Sequence, residues 1–142
     1  GSTWGIRKAT TVASPTAIDP QIMMLVDTSV WVNHLRAGSP RLATFLQESL
    51  VLTHSYVIGE LACGMIKNRS EILALLQALP KAQIADDHEV LHLLESQKLY
   101  GSGLGWVDIN LLASAQLTGC GLWTADSPLQ KAAIKLHLQV YE

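Results

Sequence analysis

The chain reads as an α/β protein with a mostly parallel central sheet of four to five short strands flanked by helices. Three observations lead there. Short apolar runs alternate along the chain with stretches of helical period. The runs are apolar on consecutive positions, the pattern of parallel strands covered on both faces. Hydrophobic residues make up 49% of the chain and aromatic ones only 6%, so aliphatic side chains dominate, which suits helices packed on a sheet. The 142 residues are enough for one domain with one core, and with 15% charged residues the chain is too apolar to be disordered throughout. No internal repeat and no second domain are evident.

Residues 1–22 differ from the rest of the chain. They hold Ser14-Pro15, Asp19-Pro20 and several threonines, without a usable period. They read as a tag or other non-native, flexible N-terminal extension: Gly1-Ser2 resembles a cloning scar and Met23-Met24 a native start. The competing reading is a docking arm that buries Trp4, Ile6, Val12 and Ile18 on a neighbouring chain. The folded domain is expected over 23–142.

The first strand is Met24-Leu25-Val26, ended by Asp27. Thr28 and Ser29 can accept bonds from free N–H groups at a helix start, and Val30, Trp31, His34 and Leu35 form the apolar face of that helix. Gly38-Ser39-Pro40 stops it, and Leu42, Phe45, Leu46 and Leu50 continue in a second helical piece. Val51-Leu52-Thr53 is a second buried strand. Ser55 fits an N-cap, and Val57, Leu61, Ala62, Met65 and Ile66 follow at helical spacing, with Glu60 in the first turns. Ser70 opens a further helix whose apolar side carries Ile72, Leu73, Leu75, Leu76 and Leu79, ended by Pro80. Ala82-Gln83-Ile84 is a weak strand candidate. Asp86 and Glu89 form a capping-box pattern ahead of Val90, Leu91, Leu93, Leu94 and Leu99.

Gly101, Gly103 and Gly105 invite a phosphate-loop reading, but they follow a helix rather than a strand, so the dinucleotide fingerprint fails on context. Trp106-Val107-Asp108 opens the most apolar helix, which should be central and which Gly119 and Gly121 terminate. Gly121-Leu122-Trp123-Thr124 is the next strand, with Asp126 directly after it. Ser127-Pro128 then fits an N-cap followed by proline, and Leu138–Tyr141 closes the chain as an edge strand.

A net charge of −2 gives no global electrostatic case for a polyanion partner, which would need a local basic patch or bound cations. The basic residues are scattered, and none is assigned a phosphate. Cys63 and Cys120 lack metal-site spacing and read as small buried hydrophobes in a reducing cytoplasm. No run of 18 or more apolar residues is present, so no membrane span is expected. Trp31, Trp106 and Trp123 each adjoin an apolar run and read as core or interface residues. His34 and His54 fall near the strand ends. A lone histidine there reads as structural.

The chemistry lies in the acids. Asp27 and Asp126 follow strands, and Glu60 and Asp108 sit near helix starts. In a parallel α/β sheet these positions share one edge, the edge where ligands bind. Each acid alone reads as a helix cap or a favourable charge at a helix start. Together they repel: two unit charges ~4 Å apart cost about 4 kcal/mol at an effective dielectric of 20. A cation relieves that, and oxygen donors suit Mg²⁺ or Mn²⁺ rather than zinc. Such a metal can activate water and polarise a phosphoryl oxygen.

Val26-Asp27-Thr28-Ser29-Val30-Trp31, Gly59-Glu60-Leu61, Gly105-Trp106-Val107-Asp108 and Leu122-Trp123-Thr124-Ala125-Asp126 resemble the acidic motifs of PIN-domain ribonucleases, most closely the VapC-type toxins of type II toxin–antitoxin systems. The resemblance runs from about residue 24 to the C-terminus. It implies a PIN-like, Rossmann-like three-layer sandwich and a Mg²⁺- or Mn²⁺-dependent endoribonuclease acting on tRNA or other RNA. It also implies a homodimer neutralised by a cognate antitoxin protein that inserts a segment near the acidic pocket. Carried over, Asp27, Glu60, Asp108 and Asp126 are the catalytic, metal-binding acids, and Thr28, Ser29 and Thr124 support them. Asn110 is a weak candidate, because two residues along a helix from Asp108 it points elsewhere. Ala125 and Ser127 flank the last acid, where family members often carry a basic residue. The alternative is a non-catalytic PIN-like module that binds RNA or protein without cutting, and a housekeeping nuclease of the same fold is a third reading.

Overall fold

A computed structural model describes residues 22–141. The reading of the first 21 residues as an extension lies outside them. Ile22, the first described residue, packs against the core together with Met23.

The sheet begins with β1 (Met24–Val26), three residues buried on both faces. It is flanked by β2 (Val51–Leu52) and β3 (Gly121–Trp123), both parallel to it, in the order β2-β1-β3. Met24 pairs with Val51 on one side and with Gly121 on the other. The two weaker strand candidates shrink to one parallel bridge each, Thr53 with Lys81 and Leu122 with Val140. Beyond Lys81 the Ala82 amide still donates to Thr53 O (2.8 Å), and the Gln83 amide, on the other side of the segment, donates to Thr118 Oγ1 (2.8 Å). Five chain segments therefore lie side by side in parallel, and only the inner three are long enough to be strands.

The helices are α1 (Thr28–Ala37), α2 (Pro40–Gln47), α3 (Ser55–Ala62), α4 (Arg69–Ala78), α5 (Asp87–Ser96), α6 (Trp106–Thr118) and α7 (Ser127–Lys135). Parallel strands put all three carboxyl ends at one edge, and α1, α3 and α7 leave from it. α6 runs back to feed β3, so its first turn lies at the same edge. As expected, α6 is central: Ile109 to Ala115 are all buried.

Several boundaries differ from the sequence reading, for identifiable reasons. α3 is capped by His54 rather than Ser55; the imidazole Nδ1 accepts the Tyr56 amide (2.9 Å). α4 starts at Arg69 behind Asn68, which sits in the left-handed region (φ 56°). α7 is capped by Asp126, not Ser127, and its proline is the second helical residue. Because α3 ends at Ala62, Met65 is fully exposed and Cys63 is exposed rather than buried. Leu50 falls outside α2, and Leu75 and Leu91 face outward. Cys120 is buried as expected, and burial pushes its thiol pKa up to about 12. No helix among the described residues is long and apolar enough to cross a membrane.

Candidate active site

Asp27 is the innermost acid. It ends β1, where its amide donates to Trp123 O (2.9 Å), and it is buried. As the N-cap of α1 it makes no side-chain cap bond. Its carboxylate takes two hydroxyl donors instead: Ser29 Oγ and Thr124 Oγ1 each donate to Oδ2 at 2.7 Å. These two hydroxyls also touch at 3.3 Å. Both have already given their protons to Asp27, so that contact is a consequence of sharing one oxygen. Each then accepts a backbone amide on the far side, Ala125 N at Ser29 Oγ and Asp126 N at Thr124 Oγ1, both 3.0 Å. The strand end of β1 and the start of α7 are thereby bound together through Asp27.

The other acids are anchored in the same one-sided way. Glu60 Oε1 accepts Thr28 Oγ1 (2.7 Å), linking α3 to α1. Asp108 Oδ2 reaches back to the Gly105 amide (2.9 Å), and Asp126 Oδ2 caps α7 at Leu129 N (3.1 Å). Among the described residues, the second oxygen of each carboxylate takes no hydrogen bond. The sequence reading has Thr28 and Ser29 accepting from the free amides of α1; both donate to acids instead, and Ser29 accepts from the neighbouring loop.

The acids interact electrostatically as the sequence implied. The Asp108 carboxyl is pushed above the ordinary aspartate value, first by burial and then by the charges of Asp27, Asp126 and Glu60, against the lowering effect of its bond to Gly105. All three of those charged neighbours are negative. No three acids or histidines among the described residues are gathered tightly enough to form a ready-made metal cage. Mg²⁺ does not require one, because it keeps several waters and takes one or two carboxylates directly. Carboxylate oxygens with one spare oxygen apiece are the donor chemistry that such a hard cation takes.

Other candidates fall away from this centre. Asn110 is buried, and its Nδ2 donates to Trp106 O (2.9 Å), so it braces the first turn of α6. His34 Nδ1 accepts the Ser39 amide (2.9 Å) at the α1–α2 corner. His54 is fully buried, with Nε2 3.0 Å from Ser114 Oγ, and burial lowers its pKa. Since Nδ1 is an acceptor, the proton sits on Nε2 and is donated to Ser114. His54 thus joins the start of α3, which carries Glu60, to α6, which carries Asp108. Sequence reasoning missed this link; a histidine directly before a helical period, able to cap through Nδ1, was the available signal. Trp31 and Trp123 are buried as expected, but Trp106 is 41% exposed.

The PIN domain family model matches residues 24–135. The chain is 47% identical over 121 residues to "Ribonuclease VapC32" of Mycobacterium tuberculosis, in both strain CDC 1551 / Oshkosh and strain ATCC 25618 / H37Rv, covering 84% of this chain and 98% of the relative. A solved structure, PAE2754 from Pyrobaculum aerophilum, shares the fold with a TM-score of 0.52 at 16% identity, over 90% of this chain and 94% of that one. The chain belongs to the PIN domain family, among its VapC-type members.

Proposed function

We propose that this chain is a Mg²⁺- or Mn²⁺-dependent endoribonuclease, the toxin of a toxin–antitoxin pair. The supporting observation is the set of four carboxylates gathered at one sheet edge, where Asp108 is raised first by burial and then by the charges of the other three. Each is held by one oxygen and offers the other. The relatives named as ribonucleases support the activity.

Asp27, Glu60, Asp108 and Asp126 hold the cation in this reading. When bound, it neutralises the acidic edge and supplies the Lewis acidity that phosphodiester hydrolysis needs. The chain's own part is positional. Ser29 and Thr124 fix Asp27 through Oδ2 and leave Oδ1 available. Thr28 fixes Glu60. All three hydroxyls have donated their protons to carboxylates, so none is free to act as a nucleophile, and the reaction is a hydrolysis without a covalent intermediate. The partners in this reading are RNA, with tRNA among the candidates, a cognate antitoxin protein and a second copy of the chain as homodimer.

The test is sequencing of RNA ends after induced expression, wild type against Asp27→Asn. New ends at defined positions in the wild type alone support the reading. Identical ends in both contradict it.

A further inference from the structure

The tie between His54 and Ser114 carries an inference that rests on the cation reading of the acidic centre and concerns how that centre is held in shape. Three of its acids belong to one web of hydrogen bonds. Asp27 and the Asp126 amide share the Thr124 hydroxyl, and Glu60 takes the hydroxyl of Thr28, the residue next to Asp27. Asp108 stands apart. Among the described residues its carboxylate accepts only the Gly105 amide, at the start of its own helix. What fixes Asp108 against the other three must therefore act on α6 as a whole.

α6 packs on α5, α7 and β3, whereas α3 packs on α1 and α4, and these two helices share no extended contact. Apolar packing is non-directional, while a hydrogen bond has a narrow range of length and angle. Among the described residues one hydrogen bond joins α3 and its cap to α6. It runs from His54 Nε2 to Ser114 Oγ (3.0 Å), between two residues with no exposure to solvent. The His54 ring is pinned on its other side by the Tyr56 amide at Nδ1 (2.9 Å), and Ser114 sits in the buried stretch of α6. Glu60 comes six residues after His54, and Asp108 six before Ser114. At a rise of 1.5 Å per residue, each acid is about 9 Å along its helix from the tie. A shift of either helix at the tie is carried to its acid.

We propose that His54 is a positioning residue: through Nε2 and Ser114 it sets the placement of Asp108 relative to Glu60, and with it the affinity of the acidic centre for a divalent cation. Mg²⁺ demands near-ideal octahedral geometry, and a displacement of ~1 Å by a remote change can cost about a hundredfold at a reacting centre.

The experiment titrates the purified chain with Mn²⁺, reading the free ion by electron paramagnetic resonance, and measures the urea midpoint of every variant alongside. The two ring nitrogens can be separated. His54→Asn places an amide oxygen where Nδ1 caps α3 and falls short of Ser114. His54→Gln reaches Ser114 with its amide and gives up the cap. Ser114→Ala removes the acceptor. Ser39→Ala, which uncaps α2 away from the acids, is the control for lost stability. His54→Asn and Ser114→Ala should each weaken Mn²⁺ binding about tenfold or more. Their combination should be no weaker than the weaker single variant, because both remove the same bond. His54→Gln should keep an affinity close to wild type, and Ser39→Ala should leave affinity unchanged while lowering the midpoint. Wild-type affinity in both His54→Asn and Ser114→Ala overturns the positioning role. So does an affinity that falls in step with the urea midpoint across all the variants, Ser39→Ala included. Ser114→Ala adds no bulk and decides the matter alone if His54→Asn does not fold. No uptake of Mn²⁺ by wild type overturns the cation reading and the positioning role together. Uptake without RNA cleavage by wild type overturns the ribonuclease reading only, and the affinities then judge His54 by themselves.

Discussion

At the scale of single residues, one oxygen explains most of the local order at the candidate site. Asp27 Oδ2 takes hydroxyl protons from Ser29 and Thr124, and the same hydroxyls accept the amides of Ala125 and Asp126. Thr124→Val should therefore cost about 1.5–3 kcal/mol in urea unfolding, the range for a hydrogen bond to a charged group. Combined with Ser29→Ala it should show a coupling of at least about 0.5 kcal/mol, because both donors share that oxygen. His54 gives a prediction in pH. Its folded pKa lies below the ordinary histidine value, so the unfolded chain takes up the proton first. The stability it contributes is complete above about pH 6.5 and is lost as pH falls through the folded value. Thermal melts from pH 7.5 to 5 should fall more steeply for wild type than for His54→Asn. The acids could be nominated in the sequence from residue type and their places at strand ends and helix starts, whereas the hydroxyl supports were suggested only by the family resemblance. His54 was not legible, since its role depends on Ser114, sixty positions away, reaching it across the core.

At the scale of elements, the sheet and its helices were legible because consecutive apolar residues mark a strand covered on both faces and the helical period is long enough to read. The end residues were less so. A cap is decided by which side chain reaches a free amide, so Asp126 displaced Ser127 and His54 displaced Ser55. The two outer segments lie in the sheet as the sequence implied, each joined to it by one parallel bridge. Gly121 has an element-scale role that turn reasoning did not supply. It begins β3 rather than ending α6, and a Cβ there would sit 2.5 Å from Met24 Sδ and 2.8 Å from Gln139 O. Close approach of β3 to β1 and to the outer segment thus requires glycine. Gly121→Ala should destabilise the fold by about 1–3 kcal/mol, seen as a lower urea midpoint with an unchanged slope.

At the scale of the whole molecule, a parallel sheet gathers acids from Asp27 to Asp126 onto one edge, and the fold bears the repulsion. Asp108 records that cost in part, behind the larger effect of its own burial. Its folded pKa is raised, so the folded state holds a proton that the unfolded chain has lost, and stability falls as pH rises through the folded value. Without divalent metal at neutral pH, Asp108→Asn should therefore be more stable than wild type in thermal melts. Added Mg²⁺ or Mn²⁺ should reverse the order. It should stabilise wild type by about 2.7 kcal/mol at a hundred times its dissociation constant and Asp108→Asn by clearly less. The convergence was legible from topology alone, whereas the one-sided anchoring of each carboxylate was not, because it depends on rotamers that no spacing encodes. The most direct test of the acidic centre is RNA cleavage by the purified protein, with Mg²⁺, with Mn²⁺ and with EDTA, for wild type and Asp27→Asn. The account predicts cleavage by wild type with either cation, and none with EDTA or in Asp27→Asn. Cleavage that persists in EDTA and survives Asp27→Asn would contradict it.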